Sequence, residues 1–345
     1  VKLYEIVLKP EGKFGTPLKG DTFFGHFMWQ VVLDKSLLNI PLADALEAYL
    51  EKPFVVFSSA FPKLYANRED YFFLKRPDVP LLFFQTQDDK LDTVEVIKNR
   101  KKQKSKKYIK VKKDLKVFCK AENLLSERDI CLLYKESGIL ENTYNYPEKI
   151  EYSFFQMHNK INRLTQTTGE GFAPFKQKVF CFLPGVELSL FVLLDEDILS
   201  LDNLLEALSR IGLMGFGCDA SSGLGRFSLG EEQELALPDF SSCQGVYTLS
   251  PYVPSDKEKI SKAYFQPFTR FGRHGNLLAT SNNPFKNPIF MMEEGAVLLL
   301  ENALGAPFVG RALTNLSKVE TKTIGQGYSI VFPFYFVSGE LNYES

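Results

Sequence analysis

The chain has 345 residues, with 45% hydrophobic and 24% charged side chains, the balance of a globular protein long enough for two domains. Its five cysteines stand apart at 119, 131, 181, 218 and 243 without a C-x-x-C pair, which argues against a disulfide framework or zinc site and fits a reducing cytoplasm; no apolar run reaches the length of a membrane span. The formal net charge of −1 conceals an asymmetry, because residues 98–116 hold eleven Lys or Arg against Asp114 alone, so that segment is +10 and the remainder −11; any polyanion site is therefore local.

In chain order, residues 2–9 predict a strand. A loop from Gly15 to Asp21 follows, with Asp21 placed to N-cap a helix whose apolar face is Phe23, Phe24, Phe27, Met28, Val31 and Val32. His26 falls on the opposite, less apolar face. Residues 53–58 predict a second strand, ended by Ser59-Ala60-Phe61-Pro62. The Lys-rich run reads as a mobile loop or hairpin, and 121–135 as helical. Residues 185–194 predict a buried strand. Asp202 is placed to cap a helix with Leu204, Leu205, Leu208 and Ile211 on one face. A glycine-rich stretch, 215–226, and a short strand, 227–229, come next. With 62–180 set aside as an insertion, the order is the βαββαβ ferredoxin-like (RRM-like) plan. Residues 233–245 read as a linker, and strands are expected at 245–249, 288–300 and 328–337, with a weak helix signal at 312–318. The expected fold is therefore α+β with two ferredoxin-like domains: residues 1–232, with an insertion at about 62–180, and a degenerate second unit, 233–345.

The candidate site residues each admit two readings. Lys19 suits a phosphate, Gly20 allows close backbone approach, and the helix start at Asp21 and Thr22 offers N–H groups to an anion; equally, this is a strand-to-helix turn. Asn159, Asn162 and Arg163 suit ribose, base edge and phosphate, with Thr167, Thr168, Gly169 and Gly171 as a tip; equally, they form a solvated loop. In 215–226, Gly215, Gly217, Gly223 and Gly225 with Ser221 and Ser222 resemble an anion nest, and Arg226 adds charge. No Gly-Lys-Ser/Thr ends it, and it follows a helix, so it is neither a P-loop nor a dinucleotide fingerprint. A close-packed turn would use the same glycines. Gly325 and Gly327 are a weaker case of the same kind. Arg270, Phe271, Arg273 and His274 form a small basic and aromatic cluster suited to base stacking or to a surface loop. The Lys-rich run suits RNA, an acidic partner or plain solvation. No metal-ligand or Ser-His-Asp constellation is visible.

Four segments taken together resemble the RAMP superfamily of CRISPR proteins, and within it the fourth subunit of the type III-A (Csm) effector complex. They are Gly15-Thr-Pro-Leu-Lys-Gly-Asp-Thr-Phe-Phe-Gly-His-Phe-Met-Trp29; Met157-His-Asn-Lys-Ile-Asn-Arg-Leu-Thr165 with Thr167 to Gly171; Gly215 to Arg226; and Ile324-Gly-Gln-Gly-Tyr328. They occur in the family's order and span most of the chain. The resemblance implies a non-catalytic, cofactor-free subunit of an antiviral ribonucleoprotein. It would bind the repeat-derived 5′ tag of the guide RNA, cap the filament of backbone RAMP subunits, dock the large polymerase-like subunit, and meet target RNA indirectly. The Asn159–Arg163 segment would be the base of a thumb-like hairpin. RNA contact is then implied for Lys19, Gly20, Asp21, His26, His158, Asn159, Asn162, Arg163, Thr167, Ser222, Gly223, Gly225, Arg226, Arg273, Gly325 and Gly327. Two alternatives remain: a guide-processing endoribonuclease with His26 as general base, and a protein adaptor that touches little RNA. The Lys-rich run falls outside the resemblance.

Overall fold

The computed structural model describes residues 1–84, 101, 103–140, 147–168, 173–302 and 304–336. In chain order the elements are β1 (Lys2–Pro10), α1 (Gly20–Leu33), α2 (Leu42–Glu51), β2 (Val55–Ala66), β3 (Glu69–Lys75), β4 (Tyr108–Lys112), β5 (Val117–Phe118), β6 (Leu124–Leu125) and α3 (Glu127–Glu136). Then come β7 (Glu151–His158), β8 (Phe175–Phe182), β9 (Glu187–Leu194), α4 (Leu201–Met214) and β10 (Phe227–Leu235). The remainder is strand: β11 (Gly245–Thr248), β12 (Ile260–Tyr264), β13 (Pro267–Arg270), β14 (Ile289–Met292), β15 (Val297–Leu300), β16 (Phe308–Leu313) and β17 (Gly325–Tyr335).

The first sheet runs β10–β1–β9–β2–β3–β4–β6. Its first four strands are all antiparallel to their neighbours. With α1 after β1 and α4 after β9, they give the sequence order strand, helix, strand, strand, helix, strand, arranged in space fourth, first, third, second. β9 lies inside this sheet, which is why Leu188 to Leu194 reads as an unbroken buried run rather than an alternating one. α1 delivers Phe23, Phe24, Phe27 and Val31 to the core, and α4 delivers Leu204, Ala207, Leu208 and Ile211; α1 packs on β2, α4 on β10, and the two helices touch.

Several boundaries differ from expectation for local reasons. β2 does not stop at Ser59. Its pairing with β9 shifts between Phe57 and Ala60, where the Ser58 hydroxyl accepts a hydrogen bond from the Phe191 N–H, and then continues. Pro62 is tolerated because it faces β9 alone; pairing with β3 starts one residue later, at Lys63. Asp21 does not cap α1. The helix starts at Gly20 with Lys19 in the cap position and Asp21 inside the first turn. Asp202 likewise lies in the first turn of α4, whose cap is Ser200, with its hydroxyl accepting from the Asn203 N–H. α3 is narrower than the expected 121–135 and begins with a reciprocal Ser126–Asp129 capping box. The Lys-rich run, so far as it is described, is not a free loop: β4 pairs in register with β3, and β5 adds in parallel to β17. Lys98, Arg100 and Lys102 lie outside the described residues.

The second sheet runs β12–β15–β11–β17–β16. No α-helix occurs among the described residues from 236 to 336. The helix signal at 312–318 fails because Phe308–Leu313 is a strand paired with β17. The two sheets share one core, since Phe332 of β17 packs at 5.3 Å on Phe191 of β9, which packs at 5.0 Å on Phe72 of β3. Among the described residues no helix is long and apolar enough to cross a membrane.

Candidate nucleic-acid interface

Two of the four motif segments meet at residues 13–17, between β1 and α1, beside the base of the hairpin that carries a third. Phe14 exchanges both backbone hydrogen bonds with Phe180 of β8, at 2.8 and 2.9 Å. On the other side, the Gly225 N–H donates to Lys13 O at 2.7 Å, and the Cys218 N–H donates to Thr16 Oγ1 at 2.9 Å. Gly15 lacks a side chain because a Cβ there would lie 2.5 Å from Cys218 Sγ. The N-terminal loop is thus sewn between the glycine-rich loop and the base of the β7–β8 hairpin.

His26 belongs to this joint. Its Nε2 accepts a hydrogen bond from the Gly217 N–H at 2.9 Å, and its ring stacks on Phe216 at 4.9 Å. Burial pulls its pKa down to about 4. The imidazole is neutral with its Nε2 lone pair engaged, which is a positioning role and a poor state for a general base.

The glycine-rich loop is a packed turn in its amide bonding. The N–H groups of Phe216, Gly217, Cys218, Ser222, Gly223 and Gly225 all donate within the chain, so these amides do not form an open nest. Gly225, at φ +79°, is required because a Cβ would run into the Phe216 backbone. The Ser222 hydroxyl donates to Asp219 O at 2.8 Å. Gly223 faces open space, and the Arg226 side chain is exposed.

Lys19 and Asp21 instead face the separate β13–β14 pair and the turn after it, and Gly20 packs on β2. The Lys19 ammonium lies 2.7 Å from Glu293 and 3.0 Å from Glu294, and 4.9 Å over the Phe268 ring, with only 13% of its side chain exposed. Burial opposes its charge, but Glu294 and Glu293 outweigh that and raise its pKa. Asp21 accepts two hydrogen bonds from Arg270, at 2.6 and 2.7 Å. Gly20 lets the start of α1 reach Phe57 O, which any Cβ would strike. Gly325 and Gly327 are not a loop but part of β17; a Cβ at Gly327 would lie 2.5 Å from Arg311 O. Between them, the Gln326 side chain accepts from Phe57 N–H at 2.9 Å and donates to Phe57 O at 2.7 Å. The expected phosphate ligand Lys19 and the Gly325–Gly327 pair therefore bind the chain to itself.

The hairpin is the exposed member of the set. β7 and β8 pair only with each other as named strands, from Glu151↔Phe182 to His158↔Phe175. Phe155 is 65% exposed and Leu164 95%. His158 stacks on its cross-strand neighbour Phe175 at 5.4 Å, and its buried Nε2 has no hydrogen-bond partner among the described residues. At the tip, Asn162 Oδ1 accepts from the Leu164 N–H at 2.9 Å, and the Asn162 N–H donates to Thr167 O at 3.0 Å. Asn162 and Thr167 close the turn, leaving Asn159 and Arg163 exposed. Gly169 and Gly171 lie outside the described residues. Arg273 sits apart, 5.7 Å over the Phe285 ring, while Phe271 is 79% exposed and His274 is buried against Ser317 at 2.7 Å.

Between the hairpin base and the two sheets lies a groove of about 570 Å³ with an aromatic wall of Phe180 and Phe182, the cations Lys19, Lys75, Arg76, Lys107 and Lys178, and the carboxylates Asp78, Glu151 and Glu294. Sequence reading missed Lys75, Arg76 and Lys178 because each stands in a different local context and only the fold gathers them. Lys107 was visible as part of the basic run, but its place on a groove was not.

No protein-family model matches the chain, and no curated protein matches its sequence. Solved structures do. A chain in a crystal structure of a Csm1–Csm4 cassette with pppApA is similar over 98% of this chain and all of that one, at 14% identity and a TM-score of 0.54. A chain in the Csm3–Csm4 subcomplex of the type III-A CRISPR-Cas interference complex is similar over 96% and 99%, at 16% identity and a TM-score of 0.54. The same cassette with cA4 gives 13% identity and 0.53. The subunit common to these structures is Csm4, and its fold is the fold of this chain.

Proposed function

We propose that this chain is the Csm4-type subunit of a type III-A CRISPR effector complex, an RNA-binding, non-catalytic protein of antiviral defence. It grips the 5′ tag of the guide RNA, caps the filament of backbone subunits and docks the large subunit. The observation that carries this is the end-to-end likeness in fold to the subunit shared by the Csm1–Csm4 and Csm3–Csm4 assemblies. The order of the first sheet supports a ferredoxin-like domain over residues 1–232, with 233–345 as a degenerate partner. The hairpin supports a thumb, with Asn159, Arg163 and the exposed aromatics as its RNA-facing groups. Arg226 and Arg273 are the other exposed arginines among the candidate residues. An endoribonuclease with His26 as base is disfavoured by the engaged lone pair on Nε2. An adaptor reading draws on Lys19, whose charge is taken up internally.

The test is binding of the full chain, with its large-subunit partner, to guide RNA with and without the repeat-derived tag at two salt concentrations. Phosphate contacts alone would be salt-sensitive and blind to the tag. Loss of affinity when the tag is removed, with the RNA left intact, supports the proposal. Equal binding to both RNAs sinks it, and cleavage replaces it with the nuclease.

A further inference from the structure

The basic run has no part in the reading above, and its placement gives it one. β4 pairs with β3 so that Lys112 stands opposite Tyr71. The Lys110 and Lys112 ammoniums lie 5.5 and 5.9 Å from the Tyr71 ring. The alternation of a strand puts these two lysines on one face, and the chain then turns through Lys113 and Lys116. Three exposed lysines of the region find carboxylates: Lys107 with Glu127, Lys112 with Glu69 and Lys120 with Glu122. Among the described residues, Lys104, Lys110, Lys113 and Lys116 have none within 4 Å. A chain of net charge −1 thus gathers positive charge along β4 and the turn after it, where the Lys113 ammonium donates to Gln233 Oε1 at 2.6 Å. At its start, Lys107 also lines the groove at the hairpin base, as Lys178 does.

We infer that β4 and the turn after it, with Lys110 and Lys112 beside Tyr71 and Lys113 and Lys116 beyond them, form a second, sequence-independent RNA surface, engaging single-stranded RNA outside the 5′ tag. Ammoniums without a carboxylate partner supply contacts to backbone phosphates, and a tyrosine flanked by Lys110 and Lys112 supplies a stacking face, the combination that holds single strands without reading their sequence. An acidic protein segment would use the charges but would gain nothing from the aromatic ring. The inference goes beyond tag recognition and survives if that reading fails, because its ligand lacks a tag.

The experiment uses the full chain, an unstructured single-stranded RNA with no tag, and fluorescence anisotropy across a KCl series. Single strands lose affinity with a slope of roughly 0.7 per neutralised phosphate. The variant Lys110→Gln/Lys113→Gln/Lys116→Gln should therefore lower the slope of log affinity against log salt by about 2. A control that changes lysines elsewhere, Lys9→Gln/Lys52→Gln/Lys257→Gln, should leave it unchanged. Tyr71→Leu should weaken binding roughly tenfold with little change of slope. These surface substitutions should keep the thermal midpoint, which verifies that the variants are folded. Equal slopes in the wild type and the first variant overturn the inference. So does a polyglutamate peptide that binds this face while the tagless RNA does not.

Discussion

The junction around Lys19 and the hairpin that carries Arg163 use their polar groups in opposite ways. At the junction, Lys19 is shared by Glu293 and Glu294, Asp21 is forked by Arg270, and Gln326 occupies both backbone groups of Phe57. Each pair joins the first sheet or its helix to the second half of the chain. In the hairpin, strand pairing is internal, Asn162 and Thr167 close the tip, and Arg163 is left exposed. Polar motif residues near the core hold the molecule together, whereas those far from it remain available to a ligand.

The largest expected effect lies at the junction. Lys19→Met strands Glu294 and removes one of the two lysines on Glu293, the other being Lys75 at 2.8 Å. Breaking a buried pair on one side costs about 3–5 kcal/mol. Urea unfolding should register this loss, and adding Glu294→Gln should recover part of it. Unchanged stability together with weaker binding to tagged RNA would make Lys19 a phosphate ligand and dissolve the contrast with Arg163.

Next comes Gln326→Leu. It leaves the Phe57 N–H and C=O, both paired by that side chain, without partners at a fully buried position. Unsatisfied buried groups cost about 1–3 kcal/mol each, so a loss of at least about 2 kcal/mol is expected in the same measurement. A loss near zero would mean that β17 is not fastened to β2 at this point.

A smaller effect separates with pH. His26 has its pKa lowered by burial from 6.5 to about 4, so the unfolded chain binds its proton first. The stability that His26 contributes is present above pH 6.5 and is lost as pH falls towards 4, by about 2 kcal/mol at pH 5. Asp78 acts in the opposite sense. Burial raises its pKa to about 6, against the pull of Lys75, so its contribution is present below the unfolded carboxylate range and is lost as pH rises through 6. The measurable quantity is therefore the difference between variants. His26→Gln should flatten the acid side of the stability profile, and Asp78→Asn should steepen it. Identical profiles for wild type and His26→Gln would remove His26 from the joint between α1 and the glycine-rich loop.

The elements of the first sheet were legible because their signals are local. Phe23, Phe24 and Phe27 recur at helical spacing, and the unbroken apolar run in 185–194 is what a buried strand requires. What was illegible depends on distant partners. Nothing near Lys19 in sequence announces Glu293, and nothing near Phe57 announces Gln326. The glycines of 215–226 and 325–327 read as ligand loops because close packing and close ligand approach ask for the same residue. Ser200 was passed over for Asp202 as a helix cap, although both residue types cap well and only the geometry decides. The second half was the least legible, because its strands pair with one another and with β5 over long separations.

The smallest effect on stability, and the sharpest test of the contrast, is expected from Arg163→Ala. The side chain is exposed at the hairpin tip, so folding stability should stay within about 0.5 kcal/mol of the wild type. A charged hydrogen bond to phosphate is worth about 1.5–3 kcal/mol, so affinity for tagged guide RNA should fall at least tenfold. Lysine at the same position keeps the charge but not the fork, and should restore only part of the binding. Loss of stability without loss of RNA affinity would reverse the assignment, making the hairpin part of the scaffold and returning the search for the RNA-binding arginine to Arg226 and Arg273.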